Sequence, residues 1–309
     1  MDRRIVAMEL KGIHVPLVTP FAEDGSVALD ALDRLARSVL DDGAAGLVAL
    51  GTTGEPAALS APERQAVVEV CAAACAERGG QLVVGAHGGD TRSVGEALAV
   101  LGKQVPQAAA ALVTVPAFLR PGEAGTVEHF RRLAEVSPLP LVVYHIPYRT
   151  GQALSAAALL RLAAVPGVVG VKYATGGLDQ DAVELLAAAP AGFAVLTGED
   201  TFLSPMLALG AAGGILASAQ LATARFAELA AAWEDGDVPR ARALGHRLAA
   251  LAGAVFAAPN PAVVKGVLHA QGRIPTPDVR LPLLPAGAAE VAAALDLVTG
   301  PEFASGLDH

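Results

Sequence analysis

The sequence predicts a (β/α)8 barrel with a C-terminal helical appendage, and three observations predict it. Eight short apolar runs recur along the chain, the apolar residues within each run are continuous rather than alternating, and helical patterns lie between the runs. Continuous apolar runs suit strands buried on both faces, as parallel strands covered by helices are. Eight strand and helix units in roughly 230 residues match the usual size of such a barrel. An open, doubly wound sheet is the rival arrangement, but it ordinarily uses fewer strands. A chain of 309 residues, 53% of them hydrophobic, has ample material for one large core.

The runs fall at residues 12–18, 46–50, 81–86, 109–115, 139–145, 167–172, 193–196 and 213–217. The clearest connecting helix carries Leu29, Leu32, Leu35, Val39 and Leu40 on one face, with Gly43 placed to end it. Another begins at Ser60 with Glu63 three residues on, the signature of a capping box, and Pro62 is tolerated in its first turn. After the eighth run the strands cease. Helical patterns at 238–257, 261–270 and 286–298 follow, with a proline-rich piece at 274–285 between the last two. This divides the chain into a barrel at 1–235 and a helical region at 236–309, packed on the barrel or on a neighbouring subunit.

Composition excludes several classes of function. The formal charge is -9, from 22 basic against 31 acidic residues, and no basic run exceeds Arg3-Arg4 or Arg131-Arg132. A nucleic-acid binder, which gains affinity by neutralising phosphates, is not expected. Residues 201–224 are uncharged, yet they contain Ser204, Pro205, Gly210, Gly213, Gly214, Ser218 and Gln220, and their hydropathy is largely alanine. They are a poor membrane span. The N-terminus, Met-Asp-Arg-Arg followed by Glu9 and Lys11, lacks the apolar core of a signal peptide. Cys71 and Cys75, four apart in an alanine-rich helical stretch, share a face but are too far apart for an unstrained disulfide. They also lack companion ligands at metal spacing, so no zinc site is read there. The expectation is a soluble, cytoplasmic protein.

In a barrel of this kind the chemistry sits at the carboxyl ends of the strands. The residues that follow the runs are polar and varied: Thr19, the Gly51-Thr52-Thr53-Gly54-Glu55 turn, His87, Phe118, Tyr144 with His145 and Arg149, Lys172, Glu199 with Asp200, and Ser218. Lys172 is the sharpest signal, because the chain holds only four lysines against eighteen arginines and this one closes Val168-Val169-Gly170-Val171. Desolvation in a barrel mouth disfavours the charged amine and frees it as a nucleophile, which suits Schiff-base formation with a ketone. The alternative is a strand-end lysine bent out to solvent. Tyr144 lies near the end of the preceding run, where a phenol beside an imine can move protons and a hydroxyl such as that of Thr53 can complete a relay. Its alternative is a core tyrosine with a satisfied hydroxyl. The threonine turn can cradle a carboxylate, or be only a tight turn in which Glu55 holds the loop by hydrogen bonds. His14 reads as a hydrogen-bonded core histidine, Trp233 as core or interface, and Gly210, Gly213 and Gly214 as sites of close helix and strand packing.

Several of these pieces, in order and spacing, resemble the dihydrodipicolinate synthase and N-acetylneuraminate lyase family of class I aldolases. They are the stretch from Gly12 to Thr19-Pro20-Phe21, the Gly51 to Glu55 turn, Tyr144-His145-Ile146-Pro147-Tyr148-Arg149-Thr150-Gly151, Gly170-Val171-Lys172, Gly198-Glu199-Asp200, and Arg280-Leu281-Pro282-Leu283. The resemblance implies a lyase that forms an imine between Lys172 and the ketone carbon of pyruvate. It implies Tyr144 as proton shuttle working with Thr53, Thr52 and Thr53 holding the pyruvate carboxylate, Arg149 at the acceptor's end, and the Ile215 backbone carbonyl lining the pocket. No organic cofactor or metal is needed, since the imine is itself the electron sink. A homo-oligomer, dimer or tetramer, is implied as the assembly.

The family pattern breaks at identifiable places. Synthases carry two adjacent tyrosines after Thr-Pro on the fourth strand, the second completing a relay across a dimer contact; here the stretch reads Val115-Pro116-Ala117-Phe118. Phe118 has no hydroxyl, which points away from strict 4-hydroxy-tetrahydrodipicolinate synthesis toward another acceptor, with a water, His87 or His145 as candidate substitutes in the relay. Ala61 and Arg64 stand where lysine-regulated synthases keep histidines, so feedback by lysine is not expected. Tyr173 and His145 replace a usual glutamate and asparagine, which bears on the acceptor. The remaining alternatives are a 2-oxo-3-deoxy sugar-acid aldolase or a dehydratase using the same imine, a non-catalytic barrel binding a small carboxylate, and a phosphate-binding barrel enzyme of another family.

Overall fold

All eight apolar runs form strands, and the connecting helices fall between them. In chain order the first half comprises β1 (Gly12–Pro16), α1 (Leu29–Asp41), β2 (Gly46–Ala49), α2 (Ala61–Arg78), β3 (Gln81–Ala86), α3 (Thr91–Gln104), β4 (Ala110–Thr114), α4 (Gly122–Val136) and β5 (Leu141–His145). The remainder comprises α5 (Pro147–Thr150), α6 (Ala156–Ala163), β6 (Val168–Tyr173), α7 (Gln180–Ala188), β7 (Ala194–Thr197), α8 (Leu203–Ala208), β8 (Gly213–Ile215), α9 (Thr223–Glu234), α10 (Val238–Val255), α11 (Ala262–Ala270) and α12 (Ala288–Thr299). The strands pair in parallel, each with the next and β8 with β1, into a closed barrel. This computed structural model describes residues 9–300. The Met-Asp-Arg-Arg start and the last nine residues of the helical region lie outside the described residues.

Strand parity sorts the core into two layers. Val48, Val83, Leu112, Val142, Leu196 and Ile215 fill the barrel, whereas Leu47, Val84, Val113, Val143, Val171 and Val195 pack outward against the helices. Because successive side chains alternate, Tyr144 faces inward after the outward Val143, and Lys172 faces inward between the outward Val171 and Tyr173. The two inward residues are register partners across β5 and β6.

The ends of the elements follow local chemistry. Asp42 caps α1 and Gly43 then takes φ +95, a left-handed turn. Ser60 accepts from the Glu63 N–H while the Glu63 carboxylate accepts from the Ser60 N–H, the predicted capping box. The first apolar run continues to Val18, but β1 ends at Pro16, and the Val18 N–H is taken by Gln220 Oε1 at 2.9 Å. The glycine reading needs correction at residues 213 and 210. A Cβ on Gly213 would lie 2.0 Å from the Gly12 carbonyl oxygen, so this glycine serves the β1–β8 seam that closes the barrel. Gly210, at φ +98 in open space, serves a turn.

Beyond β8, α10 packs against α8, α9 and α12, and α11 against α12. His14 is buried with a ring nitrogen 2.9 Å from Gln81 Oε1, and Trp233 Nε1 donates to Ser204 Oγ at 3.0 Å, as core roles require. Cys71 and Cys75 are buried free thiols, both pushed up in pKa, chiefly by burial. Among the described residues no helix is long and apolar enough to cross a membrane, and no three metal-ligating side chains cluster.

Candidate active site

The carboxyl ends of the strands converge on a cavity of about 260 Å³ lined by Thr52, Thr53, Tyr144, Arg149, Lys172 and Ile215, the six residues expected there from the sequence. Gly198, Glu199, Asp200 and Asn260 also line it. Lys172 is 8% exposed, and its Nζ lies 4.5 Å from the centre of the Tyr144 ring. It is not the solvent-facing lysine of the alternative reading. A buried amine over an aromatic face is held by the ring quadrupole and by packing of its stem.

The threonine turn follows β2. Thr52, Thr53 and Gly54 form one 3₁₀ turn, in which the Gly54 N–H donates to the Gly51 carbonyl and the Glu55 N–H to the Thr52 carbonyl. Thr19 Oγ1 donates to the Gly54 carbonyl at 2.7 Å. Glu55 takes no part in the cavity wall. Its Oε1 accepts from Lys265 Nζ at 2.6 Å and its Oε2 from the Arg280 N–H at 2.8 Å, so it ties the turn to the segment beyond the barrel. Lys265 also donates to the Asp278 carbonyl at 2.7 Å and sits 3.9 Å from the Phe21 ring centre. Burial pulls its pKa down to about 8.

Two carboxyl groups stand beside the lysine. Asp200 is fully enclosed and accepts from the Ser218 N–H at 2.7 Å and from the Ser218 hydroxyl. Burial raises its pKa to about 6, and the charge of Lys172 opposes that rise. Glu199 is half-buried and accepts from the Gly176 N–H at 3.0 Å, and burial raises it too. At the rim, Arg149 is exposed and donates to the Tyr148 hydroxyl at 2.9 Å.

Several residues weighed from the sequence do not reach the cavity. Phe118 is 95% exposed at φ +67 on the loop after β4. His87 is bonded to the Leu50 carbonyl at 2.7 Å and lines spaces beside α3 instead. His145 and Tyr173 are on the outward parity of their strands, with rings 5.5 Å apart. The Tyr173 hydroxyl donates to Asp179 Oδ1 at 2.6 Å, and Asp179 caps α7. Neither histidine is therefore placed to replace a relay hydroxyl, and neither His145 nor Tyr173 is placed to read an acceptor. In the other direction, Asn260 was missed. Its Nδ2 donates to Thr53 Oγ1 at 2.9 Å across 207 residues of sequence. The signal available was an amide flanked by Pro259 and Pro261 between two alanine-rich helices.

A closed parallel barrel with Thr53, Lys172 and Asp200 buried together at one mouth defines a barrel enzyme for a small substrate. Comparison narrows the class. A 4-hydroxy-tetrahydrodipicolinate synthase of Neisseria meningitidis serogroup B is 38% identical over 292 residues, covering 93% of this chain and 98% of that one. The dihydrodipicolinate synthase of Thermotoga maritima superposes with a TM-score of 0.89 at 28% identity, covering 94% of this chain and 98% of that one. The chloride-inhibited dihydrodipicolinate synthase of Acinetobacter baumannii, solved with pyruvate, gives 0.88 at 32% identity and covers 93% and 98%. With residues 9–298 matching its model, the chain belongs to the dihydrodipicolinate synthetase family, whose members are lyases of the class I aldolase type.

Proposed function

We propose that this lyase handles pyruvate through an imine on Lys172. The carrying observation is the buried Lys172 amine over the Tyr144 ring, in a cavity that also holds the Thr52 and Thr53 turn. The amine adds to the ketone carbon, water leaves, and the imine withdraws electrons from the neighbouring methyl carbon. Tyr144 takes a proton from that methyl carbon as its own hydroxyl proton passes to Thr53, the next hydroxyl in the relay, and the proton so stored is the one the aldehyde oxygen later takes up. The enamine so formed attacks the aldehyde carbon, the aldehyde oxygen takes up a proton, and water cleaves the imine to free Lys172. The same steps run backward as cleavage of a 2-oxo acid.

Within the turn the Gly54 and Glu55 N–H groups are committed to backbone carbonyls, so the N–H and hydroxyl groups of Thr52 and Thr53 are those offered to the pyruvate carboxylate. Arg149, at the rim, is assigned to the acceptor, and the Ile215 carbonyl to the pocket wall. The lysine imine supplies the electron sink, so this reading calls for no further cofactor. Phe118 sustains a second reading in which the same imine serves 2-oxo-3-deoxy sugar-acid cleavage or dehydration, because it brings no hydroxyl and stands clear of the cavity.

The barrel at 1–235 carries this chemistry and the region from 236 onward supports it. Its exposed Phe118 and Leu119 fit a homo-oligomer, dimer or tetramer, and its two free thiols fit a reducing cytoplasm.

The test is mass spectrometry after treatment with pyruvate and borohydride, with peptide mapping and a Lys172→Ala control. A stable adduct on Lys172, absent from the variant, is expected. Folded wild-type protein without an adduct would exclude pyruvate as substrate. Product assays for 4-hydroxy-tetrahydrodipicolinate and for pyruvate released from a 2-oxo-3-deoxy sugar acid then separate the two readings.

A further inference from the structure

We infer that Tyr148 is a specificity-determining residue, one that holds the Arg149 guanidinium in a fixed direction so that the pair selects an acceptor with an anionic end. The inference rests on the reading above, in which Lys172 carries the imine and Arg149 serves the acceptor. Tyr148 and Arg149 line the same cavity as Tyr144 and Lys172. Among the described residues that line it, Lys172 and Arg149 are the cations, set against the carboxyl groups of Glu199 and Asp200. Once the imine has taken up Lys172, Arg149 is the cation left to meet a charged group on the second substrate.

The backbone that carries the pair is fixed at both ends. The single turn of α5 opens on Pro147 and closes on Gly151 at φ +70, and the Arg149 and Thr150 N–H groups both donate to the Ile146 carbonyl, at 3.1 and 3.0 Å. Side chains of consecutive residues on a helix point about 100° apart and do not ordinarily meet. Here they meet. Arg149 folds back so that its Cζ lies 5.0 Å from the centre of the Tyr148 ring, and its Nε donates to the Tyr148 hydroxyl at 2.9 Å.

That contact decides which edge of the guanidinium is on offer. A guanidinium can grip a carboxylate side-on, through Nε and one Nη, or end-on, through both Nη atoms. With Nε given to Tyr148, the end-on edge remains, and among the described residues no hydrogen bond or ion pair takes it. The Tyr148 hydroxyl accepts from Arg149 and keeps its own proton to donate. Partial burial raises its pKa above the ordinary 10, so it stays a phenol near neutral pH. The pair is therefore an edge of donors, whereas Glu199 and Asp200 repel an anion from their part of the wall. The ring adds a cation–π contact that holds the guanidinium but does not choose its edge.

Two substitutions divide the contact. Tyr148→Phe keeps the ring beside the guanidinium and releases Nε, and Tyr148→Ala removes both. The full-length protein and each variant are assayed for pyruvate consumption with succinic semialdehyde, an aldehyde that ends in a carboxylate, and with butanal, its uncharged analogue of the same chain length. Borohydride trapping of pyruvate on Lys172 is measured alongside. Wild-type protein is expected to prefer succinic semialdehyde. In Tyr148→Phe the ratio of the two kcat/KM values is expected to fall about tenfold, the worth of one charge-assisted hydrogen bond, with the pyruvate adduct and the butanal kinetics unchanged. Tyr148→Ala should lose at least as much. A ratio unchanged in either variant would overturn the inference. So would an equal loss with both aldehydes, which is what a merely structural role predicts. Wild-type protein that forms the adduct yet consumes pyruvate no faster with succinic semialdehyde than with butanal would overturn it together with the assignment of Arg149. Failure of folded wild-type protein to form any adduct would instead refute the imine reading itself, and this inference with it.

Discussion

A hydrogen atom in place of a side chain at residue 198 is what leaves room for Lys172. A Cβ on Gly198 would lie 2.7 Å from Lys172 Cε, 3.0 Å from its Cγ and 2.8 Å from Ala174 Cβ. The lysine tail can swing aside, but Ala174 Cβ is fixed to the backbone just past β6, so both the amine and the strand end must shift. Gly198→Ala is expected to remain folded and to slow borohydride trapping of the pyruvate imine by about tenfold to a hundredfold, since displacements near 1 Å have costs on that scale. An unchanged trapping rate would show that the amine has slack here. The residues legible in the sequence were those placed by a single strand. Lys172 closes one apolar run and Tyr144 stands one residue before the end of another, and alternation carries both inward. The same alternation carries His145 and Tyr173 outward, and attention to strand parity would have separated them from the site. Asn260 was illegible for a different reason: its partner is 207 residues away, and no local pattern encodes that meeting.

At the scale of elements, the threonine turn is held from behind by a buried ion pair. Lys265, on α11, and Glu55, at the end of the turn, are both almost wholly excluded from solvent. Such pairs add little relative to apolar residues of the same shape, because desolvation offsets their attraction, but breaking one by removing a single partner is expensive. Lys265→Met is expected to destabilise the protein by about 3–5 kcal/mol in urea unfolding, because Glu55 then stays buried without its cation. The Lys265→Met, Glu55→Gln double variant should recover a substantial part of that loss. A double variant worse than the single would mean that Glu55 keeps adequate partners in the Arg280 N–H and the turn. This link explains a limit of sequence reading at the element scale. The strands and helices show in apolar continuity and period, but the dependence of the β2 turn on a helix more than 200 residues later shows in neither. Glu55 was readable as a loop-holding residue, whereas its cation was not, since Lys265 sits in a helical pattern that reads as ordinary core.

The whole molecule carries a pH dependence set by what the fold buries. His14, His87, His129 and His145 are all lowered in pKa, in each case chiefly by burial, and His145 is brought down to about 4 from the ordinary 6.5. Between those two values the unfolded chain binds a proton at residue 145 that the folded chain refuses. The stabilisation is therefore full above about pH 6.5 and is lost as the pH falls toward 4. Asp200 works in the opposite sense. Its pKa is raised to about 6 from 3.8, so the folded protein takes up that proton first, and its share of stability grows on acidification across this window. Lower still, Glu63 and Glu128 are held down to about 2, mainly by hydrogen bonds from Arg280 and from Arg131, and their contributions fade as the pH drops below their ordinary 4.5. Four lowered histidines outnumber the two raised carboxyl groups, Asp200 and Glu199, and set the sign between pH 6.5 and 4: net stability falls, at about 1.4 kcal/mol per pH unit for each net proton taken up on unfolding. Thermal melting across that range should show a declining midpoint, with a shallower decline in His145→Gln and a steeper one in Asp200→Asn. A midpoint constant from pH 6.5 to 4, or identical slopes in all three proteins, would mean that these buried groups do not govern the acid limit of the fold.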